Sequence, residues 1–263
     1  MSALKRFLQP YLLMTKTTIG KRAKIAEVRK FVEALKPIET EHPLIRVGGE
    51  GDGGYLVPDD LAGIEFCFSP GVSSVADFEN DLSRRGIKSF LVDASVAAPP
   101  LHNPMFDFER KFLGVTDDEP FITLDSWVAT KVPASAGLLL QMDIEGSEYP
   151  VILNASPDVL RRFRIIVIEF HDLDGIFDRL KLKVMDATFA KLLRDFSVVH
   201  IHPSNNSKPL KYEDLEIPPL MEFTFLRKDR ITRQKPARGF PHPLDRKNVP
   251  SYRDIRLPRC WHA

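Results

Sequence analysis

Two apolar runs in this chain end abruptly in ionisable residues. One reads Leu140-Gln141-Met142-Asp143-Ile144-Glu145-Gly146-Ser147-Glu148, the other Ile168-Glu169-Phe170-His171-Asp172. A carboxylate at the end of a buried strand is costly unless it is paired or bound to a ligand, so two such ends predict a convergent acidic pocket. Strand alternation puts Asp143 and Glu145 on one side, and likewise Glu169 with His171. Asp143, Glu169 and His171 are therefore the catalytic candidates, with His171 or Asp143 as general base on a hydroxyl. The same three offer hard oxygen and imidazole ligands that suit magnesium or manganese. Glu145 and Glu148 also have a plainer role open to them, favouring the positive start of the helix that follows.

Other residues look suited to ligand contact. Ser69-Pro70-Gly71-Val72-Ser73-Ser74 follows an apolar run, and small residues there let a ligand approach the backbone. Asp93 ends the next run, close to the ~20-residue gap between a glycine turn and a ribose-binding acid. The loop lacks the full G-x-G-x-x-G pattern that a pyrophosphate needs at a helix N-terminus. S-adenosylmethionine has no phosphate, so the incomplete loop favours that donor over a nicotinamide cofactor. His202, Asn205 and Asn206 in His200-Ile201-His202-Pro203-Ser204-Asn205-Asn206 are candidates for substrate contact, although Pro203 and the amide pair also fit a plain turn. Five glycines within residues 48–54 mark a tight turn between two short strands. No Gly-Lys-Ser/Thr follows them, which excludes a P-loop.

The elements that must position these groups alternate between strand and helix. Strands are expected at Ile64–Phe68, Ser89–Val92, Phe112–Val115, Phe121–Leu124, Gly137–Met142, Ile165–Phe170, Val198–His202 and Met221–Leu226. Helices are expected at Asp77–Arg85, with Gly86 as its C-cap, and at Ser147–Asn154 and Val184–Asp195. This order implies an α/β, Rossmann-like, mostly parallel sheet with helices on both faces and an antiparallel final strand. Residues 1–43 read as a helical N-terminal extension, 44–226 as the main domain, and 227–263 as a Pro/Arg-rich tail packed on it. In the extension, Ile25, Val28, Val32 and Leu35 form an amphipathic stripe.

The first 36 residues hold nine Lys/Arg against two Glu, which leaves weak contact with an anionic membrane surface open. The whole chain carries a formal charge of +1, however, which does not suggest a nucleic-acid binder. No apolar run reaches the roughly 20 residues of a membrane span. The two cysteines give neither a disulfide framework nor metal-type spacing, so a reducing, cytoplasmic compartment is expected.

The segment LLLQMDIEGSEYPVIL (138–153) resembles the Lys-Ile-Asp-Val-Glu-Gly-x-Glu-x-x-Val-Leu signature of the FkbM family of methyltransferases. IIVIEFHDL at 165–173 resembles that family's following strand. RVGGEGDGGYLV, FSPGVSSVADFE, VHIHPSNN and LMEFTFLRK resemble a bacterial branch of it, so the similarity spans roughly residues 44–250. The resemblance implies a class I methyltransferase fold with a seven-stranded sheet and the donor above its first and second strands. It also implies O-methylation of a hydroxyl on a small-molecule acceptor, either a sugar or glycan or a natural product. By the same resemblance Ser69, Gly71 and Ser73 line the donor and Asp93 holds its ribose. The usual first motif, Asp-x-Gly-Ala-Asn-x-Gly, is altered here, and the acid at position 69 is a serine. Asp77, Glu79 or Asp143 then has to meet the donor's amino-acid part. A nicotinamide oxidoreductase and a catalytically silent ligand-binding domain are the competing readings.

Overall fold

The computed structural model describes residues 20–262. It begins with α1 (Ile25–Ala34), β1 (Ile38–Thr40) and a hairpin of β2 (Leu44–Gly48) and β3 (Gly54–Pro58). Next come β4 (Phe66–Pro70), α2 (Asp77–Arg84), β5 (Lys88–Val92), β6 (Phe106–Glu109), β7 (Phe112–Gly114) and β8 (Phe121–Thr123). They lead into α3 (Leu124–Lys131), β9 (Leu138–Met142), α4 (Glu148–Asn154), α5 (Pro157–Arg162) and β10 (Phe163–Phe170). Then follow α6 (Arg179–Asp195), β11 (Phe196–Pro203), β12 (Leu210–Tyr212), β13 (Leu215–Ile217), β14 (Met221–Arg227) and β15 (Gln234–Pro236).

Seven strands form one sheet in the order β11-β14-β10-β9-β4-β5-β6. All pairings are parallel except those of β14, which runs antiparallel between β10 and β11. Continuous apolar runs suit the central strands because both faces of the sheet are covered; every residue of β9 is buried. The chain leaves β4 towards β5 on one side and returns through β9 to the other. The crevice above β4 and β9 is thus the switch point at which such sheets bind ligands. The expected mostly parallel sheet with a late antiparallel strand is the fold observed.

The two faces are covered differently. On one, Phe68, Leu140 and Ile166 pack with residues of α1, α3, α4 and α6. On the other, Cys67, Leu139 and Val167 pack with Val47 and Tyr55 of the β2–β3 hairpin and Phe78 of α2. A hairpin thus takes much of the place expected for helices, its strands laying Val47, Tyr55 and Val57 on the sheet.

Other elements depart from expectation. β6 was not foreseen, being a half-buried edge strand of only four residues. β7 and β8 pair with each other in a separate two-stranded sheet. Leu124 starts a helix rather than ending a strand, because the Thr123 hydroxyl caps it by accepting from Ser126 N–H at 3.2 Å. The first helical segment expected in the extension lies outside the described residues. In the second, Phe31 joins the apolar stripe. Basic residues of the extension are partly engaged: Arg29 pairs with Glu213 and Asp214, and Arg22, ahead of the helix, donates to the Tyr212 hydroxyl at 2.7 Å. Extension and tail are joined by the β1–β15 ribbon. Among the described residues no helix is long and apolar enough to cross a membrane.

Candidate active site

Gly71 sets the geometry where β4 ends. Its φ is +87°, and a Cβ there would lie 1.6 Å from the Asp143 carbonyl oxygen, so only glycine lets the loops after β4 and β9 touch. Asp93 follows β5 and is buried. One carboxylate oxygen accepts from Ser73 N–H at 2.8 Å, the other from Ser95 N–H at 2.8 Å and its hydroxyl at 2.6 Å. Asp93 thereby fastens the loop of residues 71–75.

Beside that loop is a cavity of about 120 Å³, lined by Gly71, Ser73, Glu79, Gln141 and Asp143 and by the hairpin turn at Asp52-Gly53. Small-molecule sites commonly measure roughly 300–1,000 Å³, so this cavity by itself takes only part of a nucleoside-sized ligand. Of the other residues expected around the donor, Ser69 lies behind the cavity wall, fully buried. Its hydroxyl is shared between Glu79 and Gln141, and Gln141 in turn donates to the Tyr55 hydroxyl at 3.2 Å. Asp77 is exposed on α2, outside the cavity. Burial raises the Glu79 carboxyl above its ordinary range, despite the Ser69 hydrogen bond.

At the heads of β9 and β10 the chain turns sharply. Glu145 has φ +54°, Gly146 +96° and Asp172 +56°. These turns bring three donors together. His171 Nε2 lies 3.8 Å from Asp143 and 3.4 Å from Glu145, and ligand atoms of all three fit within 4.8 Å of one another. His171 Nδ1 faces the Glu148 carboxylate at 3.1 Å. That same Glu148 oxygen accepts the N–H groups of Ile144 and Gly146 at 3.1 and 3.0 Å. Glu148 is fully buried, so it orients the imidazole rather than dressing a solvated helix start. Tyr149 donates to the His171 carbonyl at 2.8 Å and fixes the residue further. Burial pushes the Asp143 carboxyl up to about 7, against the opposing pull of His171. Burial works against the charged form of His171, but the Glu148 hydrogen bond and the surrounding carboxylates raise it overall.

Glu169 is not part of that trio; Glu145 takes the place expected for it. Glu169 remains within the strand, in register with Glu222 of β14, which is in register with His202 of β11. Burial and the neighbouring carboxylates hold Glu169 well above the usual range, and its Oε2 has no hydrogen-bond partner. Asn248 of the tail donates to Glu222 at 2.7 Å. Sequence reasoning passed over Glu222 and Asn248, which carry no local motif.

Of the expected substrate contacts, only His202 belongs to this row. Asn205 clamps the tail, donating to the Val249 carbonyl at 2.9 Å and accepting its N–H at 2.8 Å. Asn206 is exposed and accepts from the Ser207 hydroxyl. His202 stands 3.6 Å from Asp245, which also accepts from His200 Nε2 at 2.8 Å. Burial disfavours the His202 imidazolium, but Asp245 and Glu222 outweigh it and push the ring up to about 9.

A titration follows from this. A histidine whose folded pKa is raised stabilises the fold fully below its unfolded value near 6.5, and loses that contribution as pH rises through about 9. The difference is worth about 3 kcal/mol. The melting temperature is expected to fall between pH 6.5 and 9.5, and Asp245→Asn to flatten that slope. A melting profile for Asp245→Asn parallel to the wild type would exclude the pairing.

No curated protein matches the chain. Among solved structures, a TehB-like SAM-dependent methyltransferase from Corynebacterium glutamicum aligns with 85% of this chain and 97% of its own, at 11% identity and a TM-score of 0.32. A magnesium protoporphyrin IX methyltransferase from Synechocystis, solved with bound SAH, aligns with 64% of this chain and 76% of its own, at 10% identity and a TM-score of 0.31. The family model described as Methyltransferase FkbM domain matches residues 82–215. That stretch runs from α2 to β13, carries the Asp143, Glu145, Glu148 and His171 cluster, and covers half the chain: the protein belongs to the FkbM methyltransferase family.

Proposed function

We propose that the chain transfers a methyl group from S-adenosylmethionine to a hydroxyl of a sugar, glycan or natural product. The observation that carries this reading is the buried Glu148 carboxylate facing His171 Nδ1, with Nε2 left towards the head of β9. When Nδ1–H donates to Glu148, the neutral ring keeps a lone pair on Nε2, which is what a general base needs. An alcohol does not ionise near neutral pH, so its proton must be taken as the new bond forms. S-adenosylmethionine, when bound, supplies the methyl group on a sulfonium. This chain's residues bind and orient. Asp93 accepts hydrogen bonds from the ribose, the Gly71 loop allows close approach, and Glu79 or Asp143 meets the ammonium group. Positioning of this kind supplies much of the acceleration of a two-substrate transfer.

A second reading of the same cluster rests on the 4.8 Å spacing of the Asp143, Glu145 and His171 donors. They would hold magnesium or manganese, which lowers the pKa of a hydroxyl it touches. The family assignment leaves the nicotinamide oxidoreductase without support. Calorimetry with S-adenosylhomocysteine tests the methyl-donor reading, and no heat with either that compound or S-adenosylmethionine would refute it. Binding without any methyl transfer across sugar and natural-product acceptors would instead favour the silent-domain reading.

Glu79 offers a sharper check. It lines the cavity beside Ser69, where the family carries an acid. Glu79→Gln is expected to weaken S-adenosylhomocysteine about tenfold, the loss of one charge-assisted hydrogen bond. Methylthioadenosine, which lacks the amino-acid part, should bind both proteins equally. Equal losses for the two ligands would move the ammonium site elsewhere.

A further inference from the structure

A cavity of about 670 Å³ lies at the edge of the sheet, beyond β11 and away from the methyl-transfer cluster. Its size falls within the roughly 300–1,000 Å³ of small-molecule sites. Strand β1, the start of β2 and the loop of residues 237–243 line it against Val199 and His200. The walls are held in place. Phe240 stacks on His200 at 6.1 Å and packs at a tilt against His262 at 5.0 Å, and Ala237 N–H donates to the Pro37 carbonyl at 3.0 Å.

The walls are mostly apolar, with Ile38, Leu44, Val199 and Phe240 among them. The polar groups around this surface are not balanced. The acid on the wall, Glu39, is neutralised by Lys235 at 2.8 Å and by Arg238 N–H at 3.2 Å. His200, nine-tenths buried, is taken by Asp245 at 2.8 Å. His42 Nε2 is spent on the Arg230 carbonyl at 3.1 Å. Two donors are left over. The exposed Arg238 borders the cavity with its guanidinium, whose charge acts on Glu39 only at a distance. His242 accepts from Leu244 N–H through Nδ1 at 3.2 Å, so its ring proton sits on Nε2. An apolar chamber whose acid is already neutralised and whose spare groups are a cation and an N–H donor is complementary to an anion with an apolar body.

We propose that this cavity is a binding site for an amphipathic anion, its apolar part against Phe240, Val199 and Leu44 and its acid group between Arg238 and His242. The site is separate from the methyl donor's and stands whether or not the transfer reaction is as proposed. The full chain can be titrated with 1-anilinonaphthalene-8-sulfonate, followed by displacement with decanoate and with its uncharged counterpart decanol. One saturable site is expected, with decanoate displacing the dye at least tenfold more effectively than decanol. Phe240→Ala and Arg238→Gln should each weaken the dye about tenfold, a change of one hot-spot contact, while S-adenosylhomocysteine binding stays at the wild-type value. Should Phe240→Ala unfold, Val199→Phe fills the chamber instead and is expected to block the dye. Equal displacement by decanol, or dye affinity unchanged in the folded variants, would overturn the assignment.

Discussion

Asp93→Ala is expected to weaken S-adenosylhomocysteine about 100-fold while the protein stays folded. Asp93 is a buried carboxylate with three hydrogen bonds already in place, two of them from backbone and side chain of Ser95 and one from Ser73 N–H. A carboxylate offers about four acceptor directions, so a ribose hydroxyl can be taken up directly, and a second by displacing the Ser95 hydroxyl. Hydrogen bonds to a charged group contribute roughly 1.5–3 kcal/mol each, and 1.4 kcal/mol is a factor of ten. Removing the carboxylate also frees the 71–75 loop, which then has to be ordered by the ligand. Asp93→Asn keeps one acceptor oxygen and should lose about tenfold. Calorimetry of the two variants beside the wild type reads the series; affinities within twofold of each other would remove Asp93 from the donor site.

The sheet was legible because its central strands are long apolar runs and its turns carry glycine at the required places. Gly86, expected as a C-cap, has φ +79°. What escaped was information that no local pattern contains. β6 reads Phe-Asp-Phe-Glu, an alternation too short to stand out, and becomes a strand only because β5 offers it an edge. Glu145 joins Asp143 as alternation predicts, whereas Glu169 stays behind because its strand ends at Phe170 and His171 already lies in the turn at Asp172, φ +56°. Gln141 held a signal that went unused. A polar amide inside Leu138–Met142 has to find partners, and it finds Ser69 and Tyr55 across the sheet face. His202 and Asn205 lie three positions apart in sequence yet serve different ends, one facing Glu222 and the other holding the tail, a distinction that only the register of β11 with β14 makes.

His171→Ala is expected to lower methyl transfer by 10²–10⁴-fold, the usual contribution of a general base, with S-adenosylhomocysteine affinity within twofold of wild type. The base and the metal readings of this residue use the same atom, Nε2, and so exclude one another. They differ in what they require of Glu145, whose side chain is 88% exposed. If His171 acts as the base, Glu145→Ala should change turnover less than threefold, since a solvated carboxylate at 3.4 Å adds little to a ring already oriented by Glu148. Glu148→Gln should then cost about 10–100-fold, because an amide no longer favours the tautomer that keeps the proton on Nδ1. If the three donors bind a cation, Glu145→Ala has to damage turnover about as much as His171→Ala, EDTA has to abolish it, and manganese has to restore it. Turnover is read as S-adenosylhomocysteine released with a panel of sugar and natural-product hydroxyls. The buried, twice-amide-bonded Glu148 holds the ring under either reading, so the Glu145 variant is what separates them. A carboxylate held that firmly against Nδ1 fixes the ring and its proton, whereas the exposed Glu145 carboxylate has only its 3.4 Å approach to Nε2.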